Sequence, residues 1–378
     1  MRRVAETRPV LLVNSIGMRM PRPGRNTQTV RRIARKAASV AHLLRQPLPD
    51  VPDFHVMTPF IVPFYGSPRA RAVNASLVRH QVQLVLKHLG MVDPVCFLTV
   101  PTAWSVVERM AVSQIVFNRS DKHSAFREVD ESYIGDLEAK LLARADHVVY
   151  TSRSLLEHEQ GATGDRAFFL DHGVDLEHFT PMDADVVDAG REPPELQAIP
   201  HPRIGFFGGF DDYVVDFALI ERVARALPDA HVVLIGAATC SMRELEALPN
   251  VHWLGFRPYE SIPALAHGFD VAIMPWLRNE WITHCNPIKL KEYLALGLPV
   301  VSTDFPELHR YRHVVRIARS SDEFVALVRA TLADGGVSAP AARRAAVIGE
   351  GWNRRVEELI DLTEQDDLSQ HLTTQGAR

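Results

Sequence analysis

The sequence predicts an α/β protein of two doubly wound, Rossmann-like domains facing each other across a cleft, and three observations carry that expectation. Short apolar runs rich in Val and Ile alternate with amphipathic stretches along the whole chain, as in parallel sheets flanked by helices. The alternation breaks once, over residues 180–202, where TPMDADVVDAGREPPELQAIPHP is rich in Pro and Asp and holds no sustained period. The chain has 378 residues, more than one hydrophobic core usually organises. The expected division is 1–180, a linker over 181–202, a second domain over 203–350, and a helix with a tail over 351–378.

In the first half, strands are expected at 9–14, 95–100, 113–118 and 147–151, with a helix over 132–144 marked by Leu137, Leu141 and Leu142. After the break come a strand at 203–207, a Gly-Gly turn, a helix at 217–226, and strands at 231–236, 251–254 and 271–274. A helix over 289–296 ends at Gly297, a residue suited to closing helices, and a strand follows at 299–303. Val356, Leu359, Ile360 and Leu362 keep helical spacing in the tail. Ligands of doubly wound sheets sit beyond the carboxyl ends of the strands, so chemistry is expected at the strand-to-helix turns.

Composition narrows the class. Hydrophobic residues make up 46% and charged residues 23%, values that exclude a largely disordered or fibrous chain. Cys96, Cys240 and Cys285 lack both metal-ligand spacing and disulfide density, which fits a reducing cytoplasm. The apolar run at 10–13 is shorter than a signal-peptide core, and no stretch nears the roughly 20 apolar residues that cross a bilayer. Any membrane role is therefore expected to be peripheral. The net charge of −4 hides an asymmetry, because residues 8–49 hold nine Lys or Arg and no Asp or Glu. There Ile33, Ala37, Val40, Ala41 and Leu44 follow helical spacing, while Arg31, Arg32, Arg35 and Lys36 lie mostly elsewhere on the wheel. Two readings stand: a packed helix with a solvated basic face, or a 19–45 surface for an anionic acceptor or lipid. Asp183-Ala184-Asp185 sits in the linker rather than at a strand end, and the 17 histidines show no paired helical spacing. No metal site is expected.

Two segments hold residues suited to chemistry. In Phe206-Phe207-Gly208-Gly209-Phe210-Asp211, two glycines let the backbone approach a ligand, and the next helix offers its positive end to a phosphate. A tight turn also favours glycine on structural grounds alone. In the segment 274–303, Asn286-Pro287 launches a helix with proline in its favoured first turn. Lys289 and Glu292, three apart, share a face there. The cation can oppose phosphate charge and the carboxylate can accept hydrogen bonds from paired ribose hydroxyls; the alternative is a surface ion pair.

Pro275, Arg278-Asn279, Thr283, Asn286-Pro287, Lys289-Leu290, Glu292-Tyr293-Leu294-Ala295, Gly297, Pro299-Val300-Val301-Ser302-Thr303 and Pro306-Glu307 together resemble the donor-site block of family 4 retaining glycosyltransferases, in the branch related to teichuronic-acid biosynthesis enzymes. Gly208-Gly209, the segment VHWLGFRP at 251–258 and His172-Gly173-Val174-Asp175 fall where that family has supporting pieces. The resemblance covers most of the second half and little of the first. It implies the GT-B fold, a nucleoside-diphosphate sugar as co-substrate, and no metal or other cofactor. By it, Glu292 is the second glutamate of a Glu-x7-Glu motif and holds the donor ribose. His284 stands where the first glutamate would be, with Asn286 substituting for some contacts to the transferred sugar. Gly208, Gly209 and Lys289, with Pro287 and Ile288 at the helix start, cradle the diphosphate. Gly255 to Pro258, Phe256 included, borders the base, and Arg278 is a further cation. Gly17 matches the family's first glycine turn, and Arg25 with Gln28 falls near an Arg-Pro-Gln element. Asp121, in IVFNRSDKHSAF, matches an acidic position that orients the acceptor hydroxyl, with His123 sharing the task; an Asp after a strand also serves as turn former or helix cap.

The function so implied is retaining transfer of a sugar to a hydroxyl of a small molecule, glycan or lipid-linked acceptor, independent of metal. Lys289, the glycine-turn amides and a helix N-terminus would stabilise the departing diphosphate. Two alternatives remain: a nucleotide-sugar 2-epimerase on the same fold, and a catalytically degenerate nucleotide-sugar binder, suggested by the missing first glutamate. The expected setting is cytoplasmic, with 19–45 as the segment that would touch the inner membrane face, and no nucleic-acid partner is expected.

Overall fold

A computed structural model of the chain describes residues 1–14, 44–62, 67–127, 129–181 and 192–375. Gly17, Arg25, Gln28, the basic residues Arg31, Arg32, Arg35 and Lys36, and Asp183-Ala184-Asp185 lie outside the described residues. Two compact units make up the chain, Met1–Leu170 with Val356–Arg378, and Asp171–Arg355. Residues 171–180 thus count with the second unit and the terminal residues from Val356 with the first, whereas composition alone set the expected boundaries at 181–202 and 351.

The first unit has two sheets. Strand β1 (Val10–Val13) pairs in parallel with β3 (Phe54–Met57), and β2 (Leu44–Arg45) pairs antiparallel to β3. The other sheet is parallel, in the order β4 (Val95–Leu98), β5 (Gln114–Arg119), β6 (His147–Tyr150) and β7 (Ala167–Phe169). Helix α1 (Pro68–His88) starts at Ser67, whose hydroxyl accepts the Ala70 N–H at 3.2 Å, and buries Val78 and Val82 beside Met57. Helix α2 (Glu131–Arg144) is capped by Asp130 and packs Leu137 and Leu141 with Phe117 and Val148 of the parallel sheet. Helix α3 (Arg153–Thr163) is capped by Ser152 and supplies Glu159 to the polar network described below.

The second unit is one six-stranded parallel sheet. Its strands are β8 (Arg203–Phe207), β9 (His231–Ile235), β10 (Val251–Gly255), β11 (Val271–Met274), β12 (Val300–Thr303) and β13 (Val315–Ala318), in the spatial order β10-β9-β8-β11-β12-β13. Counted within the unit that order is 3-2-1-4-5-6, the doubly wound arrangement that reverses direction between β8 and β11. Residues alternate between two cores. Ile204, Phe206, Val232, Leu234, Val271 and Ile273 join helices α4 (Phe217–Ala226) and α6 (Ser321–Asp334). Phe207, Val233, Ile235, Ala272 and Met274 join helix α5 (Ile288–Ala295). A sheet covered on both faces needs continuously apolar strands, and β8 and β11 are buried over their whole length. The terminal helix α7 (Trp352–Gln375) begins in this unit. No described helix is long and apolar enough to cross a membrane.

Candidate functional site

Strand order reverses between β8 and β11, where doubly wound sheets take their ligands, and the connections that follow these strands meet there: the Asp216 N–H donates to Pro275 O and the Leu277 N–H to Val214 O, both at 2.8 Å. Gly208, directly after β8, has φ +149°, a conformation that L side chains rarely adopt. Its N–H donates to Ile235 O at 2.8 Å, and a Cβ on the neighbouring Gly236 would overlap Gly208 O, so two glycines allow the adjacent turns to close up. A Cβ at Gly209 would meet nothing within 4 Å. Tyr293 of α5 lies beneath, its hydroxyl oxygen accepting the Phe207 N–H at 3.0 Å.

Helix α5 brings the charges. Pro287 occupies the N-cap at φ −79° and ψ 119°, one position before the expected first turn, because the extended conformation leading into α5 persists through the proline. No side chain caps this helix start. Lys289 reaches over the glycine turn: a Cβ on Gly208 would overlap the lysine Cε and lie 2.8 Å from Nζ. Sequence spacing pairs Lys289 with Glu292, but only the fold sets Lys289 against Gly208. Burial lowers the pKa of the Lys289 ammonium, against the opposing pull of Glu292 and Cys285. Glu292 is 7% exposed, and burial pushes its carboxyl up to about 7 despite Lys289. Burial disfavours the charged form of both groups, and an anion beside Lys289 with hydroxyl donors beside Glu292 would relieve both.

The connection from β11 to α5 is internally braced. Trp276 stacks on Phe305 with ring centroids 5.4 Å apart, and Asn279 caps the short helix Glu280–Thr283 through the Ile282 N–H at 2.9 Å. Arg278 is exposed and donates to Arg319 O. His284 is half-buried, its N–H bonded to Trp281 O at 3.0 Å. Asn286 is buried and donates through Nδ2 to Asp171 Oδ1 at 2.6 Å. At the end of β10, Gly255 takes φ +70°, and the next residue, Phe256, stands 71% exposed. Tyr259 stacks on His178 at 4.3 Å, and burial with the charges of Glu292 and Asp175 raises its phenol to about 12. Tyr259, Asp171 and Lys291 escaped the sequence reading. Lys291 left the one usable signal, a cation on an otherwise apolar helical row. Asp171 had none, since an Asp after a strand is ordinary.

A shallow concavity of about 620 Å³ lies around Phe269, Leu298, Pro299 and Arg343. It sits at the amino ends of β11 and β12, the wrong edge of a doubly wound sheet for a ligand. Among the described residues, no three His, Cys, Asp or Glu side chains group as a metal site.

In the first unit, Asp121 is half-buried in the turn after β5. Its carbonyl accepts from Arg119 Nη1 at 2.9 Å. Arg119 is itself buried between Glu138 and Glu159, with the Glu159 contact at 2.7 Å. Ser124 Oγ donates to Glu138 Oε2 at 2.7 Å. Burial raises the Glu138 carboxyl, but His123, Arg119 and Ser124 outweigh it and hold it at about 2. His123 is 4% exposed, 3.7 Å from Glu138 and tilted against Phe126, so its ring belongs to the packing beneath the turn in this state.

Residues 201–334 match the family described as glycosyl transferases group 1. The putative teichuronic acid biosynthesis glycosyltransferase TuaH of Bacillus subtilis (strain 168) is 29% identical over 201 residues, 50% of this chain and 48% of that relative. The match thus spans about half the relative's length. Among solved structures, sucrose-phosphate synthase from Thermosynechococcus elongatus superposes with a TM-score of 0.69 at 14% identity, covering 96% of this chain and 99% of that one. HepE of Anabaena, solved with UDP, gives 0.65 at 14% identity, covering 94% and 99%. These likenesses establish the fold as GT-B.

Proposed function

We propose that this chain, whose residues 201–334 form a glycosyltransferase group 1 domain, moves a sugar from a nucleoside-diphosphate sugar to an acceptor hydroxyl, with retention and without a catalytic metal. The observation that carries the reading is Lys289 lying over Gly208 at the reversal of strand order, with Glu292 one turn along the same helix. Lys289, the Gly209 amide and the start of α5, which no side chain caps, take the diphosphate, and Glu292 takes the ribose hydroxyls. As the bond from the anomeric carbon to the diphosphate oxygen breaks, negative charge grows where these groups are aimed. The acceptor oxygen attacks from the same face, and the departing phosphate accepts its proton. HepE supports the donor class, having been solved with UDP and with UDP-glucose. The name of the curated relative supports a glycan as acceptor.

Asp121 is assigned to the acceptor. Asp121→Asn is expected to leave nucleotide affinity unchanged while transfer falls about a hundredfold or more, the scale of losing a positioned acid–base group. Equal loss of nucleotide binding in a folded variant, measured by calorimetry, would refute this assignment. A panel of UDP-, GDP-, ADP- and TDP-sugars, with and without acceptors, separates transfer from the alternatives. An epimerase changes the donor with no acceptor present, and a degenerate binder changes nothing.

Transfer is also expected to persist in EDTA, because cationic side chains and amides, rather than a bound ion, neutralise the diphosphate. Activity that vanishes in chelator and returns with Mn²⁺ or Mg²⁺ would overturn that part of the mechanism.

A further inference from the structure

A carboxylate removed from water must be matched by donors around it. The Asp171 side chain has 0% exposure; Lys291 Nζ and Asn286 Nδ2 each lie 2.6 Å from its Oδ1, and the Arg310 guanidinium is ion-paired with its Oδ2. Burial would raise this carboxyl's pKa, but Lys291 and Arg310 outweigh burial and hold it low. Lys291, also 0% exposed, donates to His172 O at 2.6 Å and lies 2.8 Å from Glu350 Oε2. Arg310 is 3.7 Å from Glu350 and 3.9 Å from Glu307, and the Tyr311 hydroxyl donates to Glu350 at 2.8 Å. Such a cluster is a weak source of stability, since apolar side chains of similar volume often serve as well.

What the cluster does supply is geometry. Asn286 immediately precedes the N-cap of α5, so its bond to Asp171 places the start of the helix. Lys291 lies roughly 200° around the helical wheel from Lys289, so pinning its ammonium sets the roll of this eight-residue helix.

We infer that Asp171 is a positioning residue for donor binding: by accepting from Asn286 and pairing with Lys291 it fixes the start and the roll of α5, and so the places of Lys289 and Glu292. This inference rests on the reading of α5 as part of the donor site. Asp171 itself touches no substrate.

The test compares four variants by thermal unfolding and by calorimetric titration with whichever of UDP, GDP, ADP and TDP binds the wild type most tightly. Asp171→Asn is expected to lower Tm and to weaken the nucleotide about tenfold or more, the scale of a hydrogen bond to a charged group. Asp171→Leu with Lys291→Met removes one charge of each sign, and is expected to regain Tm without regaining affinity. Asn286→Ala, which leaves the ion pairs intact, is expected to weaken the nucleotide as well, and adding it to Asp171→Asn should cost little more, since the contact it removes is already weakened there. Affinity that returns with Tm in the Leu/Met variant would reduce Asp171 to a stability role and overturn the inference, as would wild-type affinity in Asp171→Asn or Asn286→Ala. A wild type that binds none of the four nucleotides would instead remove the donor-site reading itself.

Discussion

Replacing Glu292 by Gln is expected to stabilise the second unit at pH 8 while weakening nucleoside-diphosphate binding by about 10- to 100-fold, corresponding to about 1.5–3 kcal/mol for a charged hydrogen bond. Both effects follow from one buried carboxyl. Its pKa is raised from 4.5 to about 7 by burial, with Lys289 only partly compensating. The folded unit therefore binds more protons than the unfolded chain between these values, and stability falls as pH rises through that window. Below the unfolded value the contribution is fully present. Above pH 7 the ionised carboxylate costs on the order of 3 kcal/mol, and a neutral amide of similar shape avoids much of this. The ribose hydroxyls, however, need the anion as acceptor. Thermal unfolding at pH 5 and pH 8, beside calorimetric titration with the nucleotide, checks both halves. A Gln variant that loses stability at pH 8, or keeps wild-type affinity, would remove Glu292 from the role assigned here. This is a site held against its own stability, a common sign of function.

The glycine turn gives the second large effect, and its two residues are expected to respond differently. Gly208→Ala forces a side chain onto φ +149° and into the space of Lys289 Cε. The lysine is flexible and swings away, so the fold survives with a loss of about 1–3 kcal/mol for the strained backbone. The cation is then displaced from the turn, and nucleotide affinity is expected to fall with it. Gly209→Ala meets nothing within 4 Å, so Tm is expected to stay near wild type. A diphosphate approaching the turn amides would nonetheless meet that methyl group, and affinity is expected to drop without any change in stability. Nucleotide affinity unaffected in both variants would place the phosphates somewhere other than this turn.

Much of the second unit was legible because its signals are local. The strands at 203–207 and 271–274 and the helix at 217–226 agree residue for residue with the sequence expectation, since each is a sharply bounded run or a clear amphipathic period. Strands β2, β3, β7 and β13 went unanticipated. Strands β2 and β7 have two and three residues, too few to establish a period, and β3 and β13 each carry a polar residue, His55 and Arg316, that interrupts the apolar run. Pro and Asp content marks where a chain lacks regular structure and does not report that Asp171 is paired with Lys291 and Arg310.

The α/β class, five of the six parallel strands of the second unit, the glycine turn after β8, and the cation and carboxylate on one face of α5 are legible in the sequence. All of these are encoded within a few neighbouring residues. Only the tertiary structure decided that Lys289 lies against Gly208, that the Glu292 carboxyl is pushed to about 7, that the His123 ring turns inward beside Glu138, and that Asp171 anchors Asn286 and Lys291. Burial and charge pairing are set by which distant segments the sheet order brings together, and no local pattern records that order.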